Sequence, residues 1–126
     1  MKTVLLVFGT RPEAIKLAPL VRELRSHSQM QPVVCVTGQH SEMLFQVLEA
    51  FDITPDFDLG IMAPNQTLSY ITQSVLSKLE PIIDRSRPTM VIVQGDTTTA
   101  MTASLSAYYQ QVPVGHVEAG LRTDDK

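Results

Sequence analysis

The chain has 126 residues, of which 44% are hydrophobic and 18% are charged. This composition predicts one globular domain over residues 1–126 and excludes a disordered chain. Ten basic and 13 acidic residues give a formal net charge of -3, which argues against a nucleic acid partner held by phosphate neutralisation.

The apolar stretches of the sequence are short. The segment that follows Lys2 is apolar for about six residues, too few for a signal-peptide core, and no run approaches the roughly 18 residues of a membrane span. The single cysteine, Cys35, excludes an internal disulfide and a cysteine-based metal site. Because Cys35 lies in an apolar run, we expect a reduced, buried thiol, which fits a reducing compartment. Together with the short apolar stretches, this predicts a cytoplasmic protein without a membrane partner.

Continuous apolar runs rich in β-branched residues predict strands that are covered on both faces, as in a parallel sheet. They occupy residues 3–8, 32–37, 90–93 and 112–117. Apolar residues with helical spacing predict helices within residues 14–24, 43–48, 68–82 and 101–108. This alternation predicts a Rossmann-like, doubly wound α/β sheet with right-handed crossovers.

Three local features qualify this pattern. Pro19 lies inside the first helical segment and removes the hydrogen bond to Ile15, so we expect a kink or a division there. Residues 54–67 form a long connection, in which a short strand is expected at 57–59. Residues 123–126 follow the last predicted strand without a helix behind them, so we expect the chain to be part of a longer protein.

Polar clusters follow the carboxyl ends of four of the predicted strands. They lie at residues 9–13, 37–40, 95–99 and 118–122. In an open parallel sheet these ends form one edge, and ligands bind in the crevice outside it. The four clusters therefore predict one binding site.

The first cluster is typical of a helix start. Thr10 is the expected N-cap, Glu13 completes a capping box and Pro12 suits the first turn. These roles do not explain Arg11, a cation at the positive end of a helix, so we interpret it as an anion-binding residue. Lys16 lies three residues after Glu13, and this spacing by itself favours a surface ion pair.

The second cluster joins Gly38 to an amide and an imidazole, Gln39 and His40. Its residue types alone favour capping of the helix at Glu42 over ligand binding. In the third cluster, Asp96 is either the N-cap of the following helix or part of a sugar or phosphate cradle with the hydroxyls of residues 97–99, and both interpretations stay open.

The last cluster begins with Glu118, a carboxylate directly after an apolar run that should be buried. Such a group needs a partner or performs chemistry, and we favour a functional role. His116 is either its partner or a satisfied core histidine, and we favour a structural role for it.

Together with their flanking residues, these clusters resemble the non-hydrolysing UDP-N-acetylglucosamine 2-epimerase family. The matching segments are FGTRPEAIK at residues 8–16, TGQH at 37–40, GDTTT at 95–99 and PVGHVEAGLRT at 113–123. They occur in family order and with family spacing over essentially the whole chain.

The resemblance implies the N-terminal half of a two-domain, glycosyltransferase-like (GT-B) enzyme whose active site lies in the cleft between the domains. Such enzymes interconvert UDP-N-acetylglucosamine and UDP-N-acetylmannosamine for envelope polysaccharides. They eliminate UDP to form an enzyme-bound 2-acetamidoglucal and then add it back, without a nicotinamide cofactor or a metal. A homodimer is also implied, and the chain alone is expected to be inactive because the second domain is missing.

The family's site residues can be assigned by position in the matching segments. The resemblance implies catalytic roles for Arg11, Lys16, Asp96 and Glu118, and so reverses the ion-pair interpretation of Lys16. It leaves open which carboxylate takes the sugar proton. The implied substrate-binding residues are Thr10, Arg11, Gln39, His40 and Thr97.

Two questions remain at the level of sequence. Ser41, Phe45 and Asn65 replace charged residues that are common in the family near its second, activating UDP-sugar site, so activation is in doubt.

A receiver domain is disfavoured, because it would need an acidic pair after the first strand and a lysine after the last. A nucleotide-sugar glycosyltransferase half-domain and a non-catalytic nucleotide-sugar-binding module remain as alternatives.

Overall fold

The computed structural model describes residues 1–38, 42–61 and 66–117, and in them strands and helices alternate along the chain. The elements are β1 (Lys2–Phe8), α1 (Arg11–Arg25), β2 (Met30–Val36), α2 (Glu42–Ala50), β3 (Phe57–Asp58), α3 (Leu68–Ser86), β4 (Met90–Gln94), α4 (Thr98–Tyr109) and β5 (Val114–Val117). The predicted order of strands and helices, including the short strand β3, is confirmed.

The strands form one parallel sheet in the order β3-β2-β1-β4-β5. In the register of the central strands, Leu5 lies opposite Val33 on one side and Val91 on the other. Chain order runs outward in both directions from β1, so the winding reverses between β1 and β4. The predicted doubly wound, Rossmann-like sheet is confirmed, and it places its crevice at the ends of these two strands.

The core has two layers, one on each face of the sheet. Residues of α1 and α2 pack with Leu6 and Phe8 on one face, and residues of α3 and α4 pack with Leu5 and Val7 on the other. These four side chains are fully buried, and burying a side chain of this size contributes about 1.5–3 kcal/mol. The continuous apolar run of β1 is therefore explained by helices on both of its faces.

The last strand does not follow this rule. β5 pairs with β4 on one side, and its residues alternate between exposed and half-buried, so the prediction that it is covered on both faces is wrong for the described residues. The reason is its position at the sheet edge, where Val114 and His116 are exposed.

Pro19 does not divide the first helix. α1 runs from Arg11 to Arg25 with Pro19 inside it, so the expected division is wrong. Pro19 itself is exposed, while Leu17 and Val21 on either side of it are fully buried. Burial of these neighbouring turns offsets the hydrogen bond that proline removes.

α3 is the longest helix of the described residues, with 19 residues. It carries several charged side chains, among them Lys78, Glu80 and Asp84. No helix in the ranges 1–38, 42–61 and 66–117 combines the length and the apolarity needed to cross a bilayer.

Candidate functional site

The ends of β1 and β4 lead directly into the starts of α1 and α4. A hydrogen bond of 2.7 Å from the Thr97 hydroxyl to Glu13 Oε2 joins the two starts. The first and third predicted clusters therefore meet at the point where the winding of the sheet reverses, which is the usual place for a ligand in such folds.

The start of α1 has the predicted capping box. Thr10 is the N-cap, with its hydroxyl oxygen 3.4 Å from the Glu13 amide that donates to it. Glu13 Oε1 accepts from the backbone amides of Thr10 at 2.9 Å and Gly9 at 2.8 Å. Pro12 occupies the first turn, as expected.

The ion pair that spacing favoured for Lys16 is absent. Glu13 is 1% exposed and turns inward to the hydrogen bonds of the capping box, whereas Lys16 lies on the exposed face of α1. Arg11 is exposed as well, and neither cation forms a hydrogen bond or ion pair with a described residue. Arg11 thus lies at the positive end of α1, where an anion is stabilised, and Lys16 lies in the second turn of the same helix, both without a counter-charge among the described residues.

The start of α4 decides one of the alternatives left open for Asp96. The N-cap is Thr97, whose hydroxyl accepts from the Ala100 amide at 3.1 Å, so the interpretation of Asp96 as the cap is wrong by one residue. Asp96 is exposed and has no described hydrogen-bond partner. Thr99, in contrast, is buried, so the three consecutive hydroxyls do not form one exposed cradle.

The end of β2 approaches β1 closely. A Cβ atom at Gly9 would lie 2.2 Å from the Thr37 hydroxyl oxygen, so only glycine fits there. Gly38 has a φ of +97, and a Cβ there would lie 2.6 Å from Asp58 Oδ1. The next residues, Gln39 and His40, lie outside the described residues, and so does the proposed cap of α2.

The end of β5 is bound to the loop that carries Asp96. The Gly95 amide donates to the Val117 carbonyl at 3.1 Å, and His116 Nε2 hydrogen-bonds to the Gly95 carbonyl. His116 is exposed on an edge strand, so the core-histidine interpretation is wrong, although the side chain does make a structural contact. Glu118, which directly follows β5, lies outside the described residues.

A surface cavity of about 340 Å³ lies against α2 and the loop after it, lined in part by Phe45, Leu48 and Pro55. Across the part of the chain that the structure describes, no group of three His, Cys, Asp or Glu side chains could hold a metal ion. The polar groups at the strand ends define the candidate site.

Comparison with known proteins identifies the family. A family model for UDP-N-acetylglucosamine 2-epimerase matches residues 22–126. The UDP-N-acetylglucosamine 2-epimerase of Escherichia coli K12 is 58% identical over 122 residues, which cover 97% of this chain and 32% of that protein. The chain belongs to the UDP-N-acetylglucosamine 2-epimerase family.

Solved structures agree with this assignment. The chain superposes on the Neisseria meningitidis UDP-GlcNAc 2-epimerase bound to UDP-GlcNAc with a TM-score of 0.87 and 55% identity, covering 96% of this chain and 33% of that one. A Streptomyces glycosyltransferase matches with a TM-score of 0.59 at 16% identity, covering 94% of this chain and 39% of that one, which shows a shared fold alone. This chain spans about a third of the curated relatives it matches and corresponds to their N-terminal third.

The sequence did not predict the buried environment of two residues at the site, Thr37 and Glu13. Thr37 is 1% exposed, and its hydroxyl has no hydrogen-bond partner among the described residues. Glu13 was assigned to capping alone, but it also contacts α4. The available signal was a glutamate at the third position of a helix that follows the predicted first strand, and in the structure this residue is 1% exposed.

Proposed function

We propose that residues 1–126 form the N-terminal domain of an enzyme that interconverts UDP-N-acetylglucosamine and UDP-N-acetylmannosamine. The observation that carries this proposal is the match of 97% of the chain, at 58% identity, to a UDP-N-acetylglucosamine 2-epimerase. The N. meningitidis relative has been solved with UDP-GlcNAc bound, which supports the same nucleotide sugar as the substrate here.

In the proposed reaction, UDP is eliminated to give 2-acetamidoglucal and is then added back with inversion at the second carbon of the sugar. Asp96 and Glu118 serve the proton-transfer and leaving-group steps, which require positioned carboxyl groups. The exposure of Asp96 at the crevice, without a capping role, supports this assignment. For Glu118 the support is its place directly after β5, whose end is bound to Gly95.

Arg11 and Lys16 act on the diphosphate in this proposal. Departure of UDP develops negative charge, which fixed cations stabilise. Both side chains are exposed without a protein counter-charge near the N-terminus of α1, and this supports the assignment. The remaining contacts to the substrate are assigned to Thr10, Gln39, His40 and Thr97.

The complete protein is proposed to be a cytoplasmic homodimer that supplies precursors for envelope polysaccharides. A cytoplasmic site suits the single, fully buried thiol of Cys35. Support for a dimer comes from α4, a helix without a charged residue that exposes Met101, Leu105 and Tyr108 on successive turns. Such a face is typical of a helix that packs against a partner.

The experiment that tests the function joins residues 1–126 to the part of the N. meningitidis enzyme that this chain does not cover. We expect the chimera to form UDP-N-acetylmannosamine from UDP-N-acetylglucosamine, and chromatography measures the product. Asp96→Asn and Glu118→Gln should each lower turnover about a hundred- to ten-thousandfold, and Arg11→Ala should also raise KM. Asp84→Asn removes an exposed carboxylate of α3 and is the matched control.

Circular dichroism of each variant separates lost chemistry from lost structure. Turnover of Asp96→Asn and Glu118→Gln equal to that of Asp84→Asn would contradict the assigned roles. A chimera that folds but does not epimerise would contradict the proposed function itself.

A further inference from the structure

Glu13 carries a buried carboxylate that no cation balances among the described residues. Four donors surround it instead. Oε1 accepts from the Gly9 amide at 2.8 Å, the Thr10 amide at 2.9 Å and the Thr10 hydroxyl at 3.0 Å, and Oε2 accepts from the Thr97 hydroxyl at 2.7 Å. A buried carboxylate is costly unless donors satisfy it, so this position is organised to hold one.

Capping explains only half of this arrangement. In a capping box the glutamate carboxylate accepts a single hydrogen bond from the N-cap amide, and Oε1 accepts it here. Oε2 reaches a residue 84 positions away in sequence, at the start of a different helix. The Thr97 hydroxyl accepts from the Ala100 amide while it donates to Glu13, so α1 and α4 both begin at one carboxylate, and both positive helix ends stabilise it.

The backbone does not hold these two helix starts together. Pairing between β1 and β4 ends at Leu6 and Ile92, two residues before each strand ends. Beyond these residues, the hydrogen bond from the Thr97 hydroxyl to Glu13 joins the two segments.

We propose that Glu13 is a positioning residue, which fixes the loop that carries Arg11 relative to the loop that carries Asp96. Arg11 directly follows Thr10, and Asp96 directly precedes Thr97, so a carboxylate bound to both caps sets the separation of the two loops. The inference rests on the proposed function, since it assigns the chemistry to Arg11 and Asp96 and none to Glu13. A carboxylate suits this role because both of its oxygens accept, one from the amides at the start of α1 and the other from the Thr97 hydroxyl.

The link itself is tested on the 126-residue chain by amide hydrogen exchange. Thr97→Val removes the hydrogen bond that Glu13 Oε2 accepts, and the carboxylate is then held less firmly. We therefore expect exchange at the Gly9 and Thr10 amides, which donate to Oε1, to become about tenfold faster. Thr67→Val is the matched control, since Thr67 caps α3 through the Tyr70 amide at 3.0 Å and is exposed. Thr97→Ser, which keeps the hydroxyl, should restore the protection.

Glu13→Gln gives the reciprocal measurement, in which we expect faster exchange at the Ala100 amide. Because this substitution keeps the size of the side chain, it also tests the link if Thr97→Val does not fold. Equal exchange in the Thr97 and Thr67 variants, or an unchanged Ala100 amide in Glu13→Gln, would overturn the link.

Positioning is tested in the chimera with the N. meningitidis enzyme. Glu13→Gln should lower kcat about ten- to a hundredfold with little change in KM, because misplaced groups slow the chemical step. Glu13 is 1% exposed, so direct contact with substrate does not explain such a loss. The double variant should be no slower than Thr97→Val alone, because Thr97→Val already breaks the link that Glu13→Gln weakens, and any loss of the substrate contact assigned to Thr97 is common to both. Thr67→Val should stay within about twofold of the parent.

The outcomes separate the two proposals. An inactive parent chimera contradicts the proposed function, and the exchange experiment then still decides whether the link exists. If the parent is active and Glu13→Gln retains kcat, the positioning role is overturned while the proposed function stands. The same holds if the effects of Glu13→Gln and Thr97→Val on kcat multiply in the double variant.

Discussion

At the scale of single residues, Cys35 shows how burial couples ionisation to folding. The thiol is fully buried in β2, as the apolar run around it predicted. Burial, and to a lesser degree the negative charge of Asp58, raises the pKa of Cys35 from 9.0 to about 12. The folded protein therefore keeps this proton at a pH where the unfolded chain has lost it.

We expect stability to fall at alkaline pH for this reason. Between about pH 9 and 12 the unfolded state binds one proton fewer at Cys35, so the free energy of unfolding should decrease by up to about 1.4 kcal/mol per pH unit. Urea unfolding of the parent and of Cys35→Ala at several pH values from 8 upward measures this decrease. Titration of lysine and tyrosine is common to both proteins, so the difference between them reports on Cys35. Parallel curves for the two proteins would contradict the raised pKa.

Capping residues show what local sequence predicts at this scale. Thr10 and Glu13 were assigned correctly because their hydrogen bonds span three or four residues. The capping interpretation of Asp96 was one residue too early, since Asp96 and Thr97 both have capping side chains and only the backbone shows that Thr97 is the N-cap. The bond from Thr97 to Glu13 was not predictable, because it depends on which strands are neighbours.

At the scale of elements, α1 and α3 each continue through an internal proline, Pro19 and Pro81. A proline inside a helix removes one hydrogen bond and crowds the preceding turn. Periodicity predicted both helices correctly, because the apolar stripe is set by many residues. The expected break at Pro19 did not occur, since buried side chains hold the turns on either side of it.

Replacement of these prolines should stabilise the chain. Pro19→Ala restores the donor to the Ile15 carbonyl on an exposed surface, so we expect the free energy of unfolding to rise by about 1–3 kcal/mol. Pro81→Ala should act in the same direction, and urea unfolding measures both. A loss of stability in Pro19→Ala would show that the proline is adapted to its place in α1.

The strands mark the limit of element-level prediction. Apolar runs located β1, β2 and β4 well, because helices cover both faces of the sheet at these strands. β5 has the same composition but is half-exposed, since edge position is a property of the assembled sheet and not of the segment. The long connection was expected to contain a strand at 57–59, and it does so at β3.

At the scale of the whole molecule, the fold leaves an uncharged helix with an apolar outer face. Met101 is 63% exposed and Tyr108 is 73% exposed, with Leu105 between them on the same side of α4. Leu68, at the start of α3, is also exposed. Monomeric proteins rarely expose a continuous apolar patch of this kind.

We therefore expect the 126-residue chain to self-associate through α4. Light scattering over a range of concentrations should give a mass above that of the monomer, and Leu105→Glu should shift the chain to the monomer by placing a charge in the contact. Ile15→Glu, an equally apolar and exposed site on α1, is the control and should not change the mass. A monomeric parent at high concentration would count against association.

The sequence predicted a doubly wound sheet whose strand ends form one edge, because alternation of strands and helices allows few arrangements of a sheet. Arg11 was predicted to bind an anion, and that role stays a prediction, while the structure places its side chain exposed at the start of α1. It could not predict that Lys16 lacks Glu13 as a partner, since that depends on the burial of Glu13 beneath two helix starts. Gln39, His40 and Glu118 stay predictions, because they lie outside the described residues.

The most direct test of the proposed function follows the sugar proton. The chimera is incubated with UDP-N-acetylglucosamine in D₂O, and the UDP-N-acetylmannosamine formed is analysed by mass spectrometry and NMR. Because the proton at the second carbon is removed and replaced from solvent-exchangeable groups, we predict one deuterium at that carbon. Epimerisation without deuterium, or transfer of the sugar to an acceptor as in a glycosyltransferase, would contradict it.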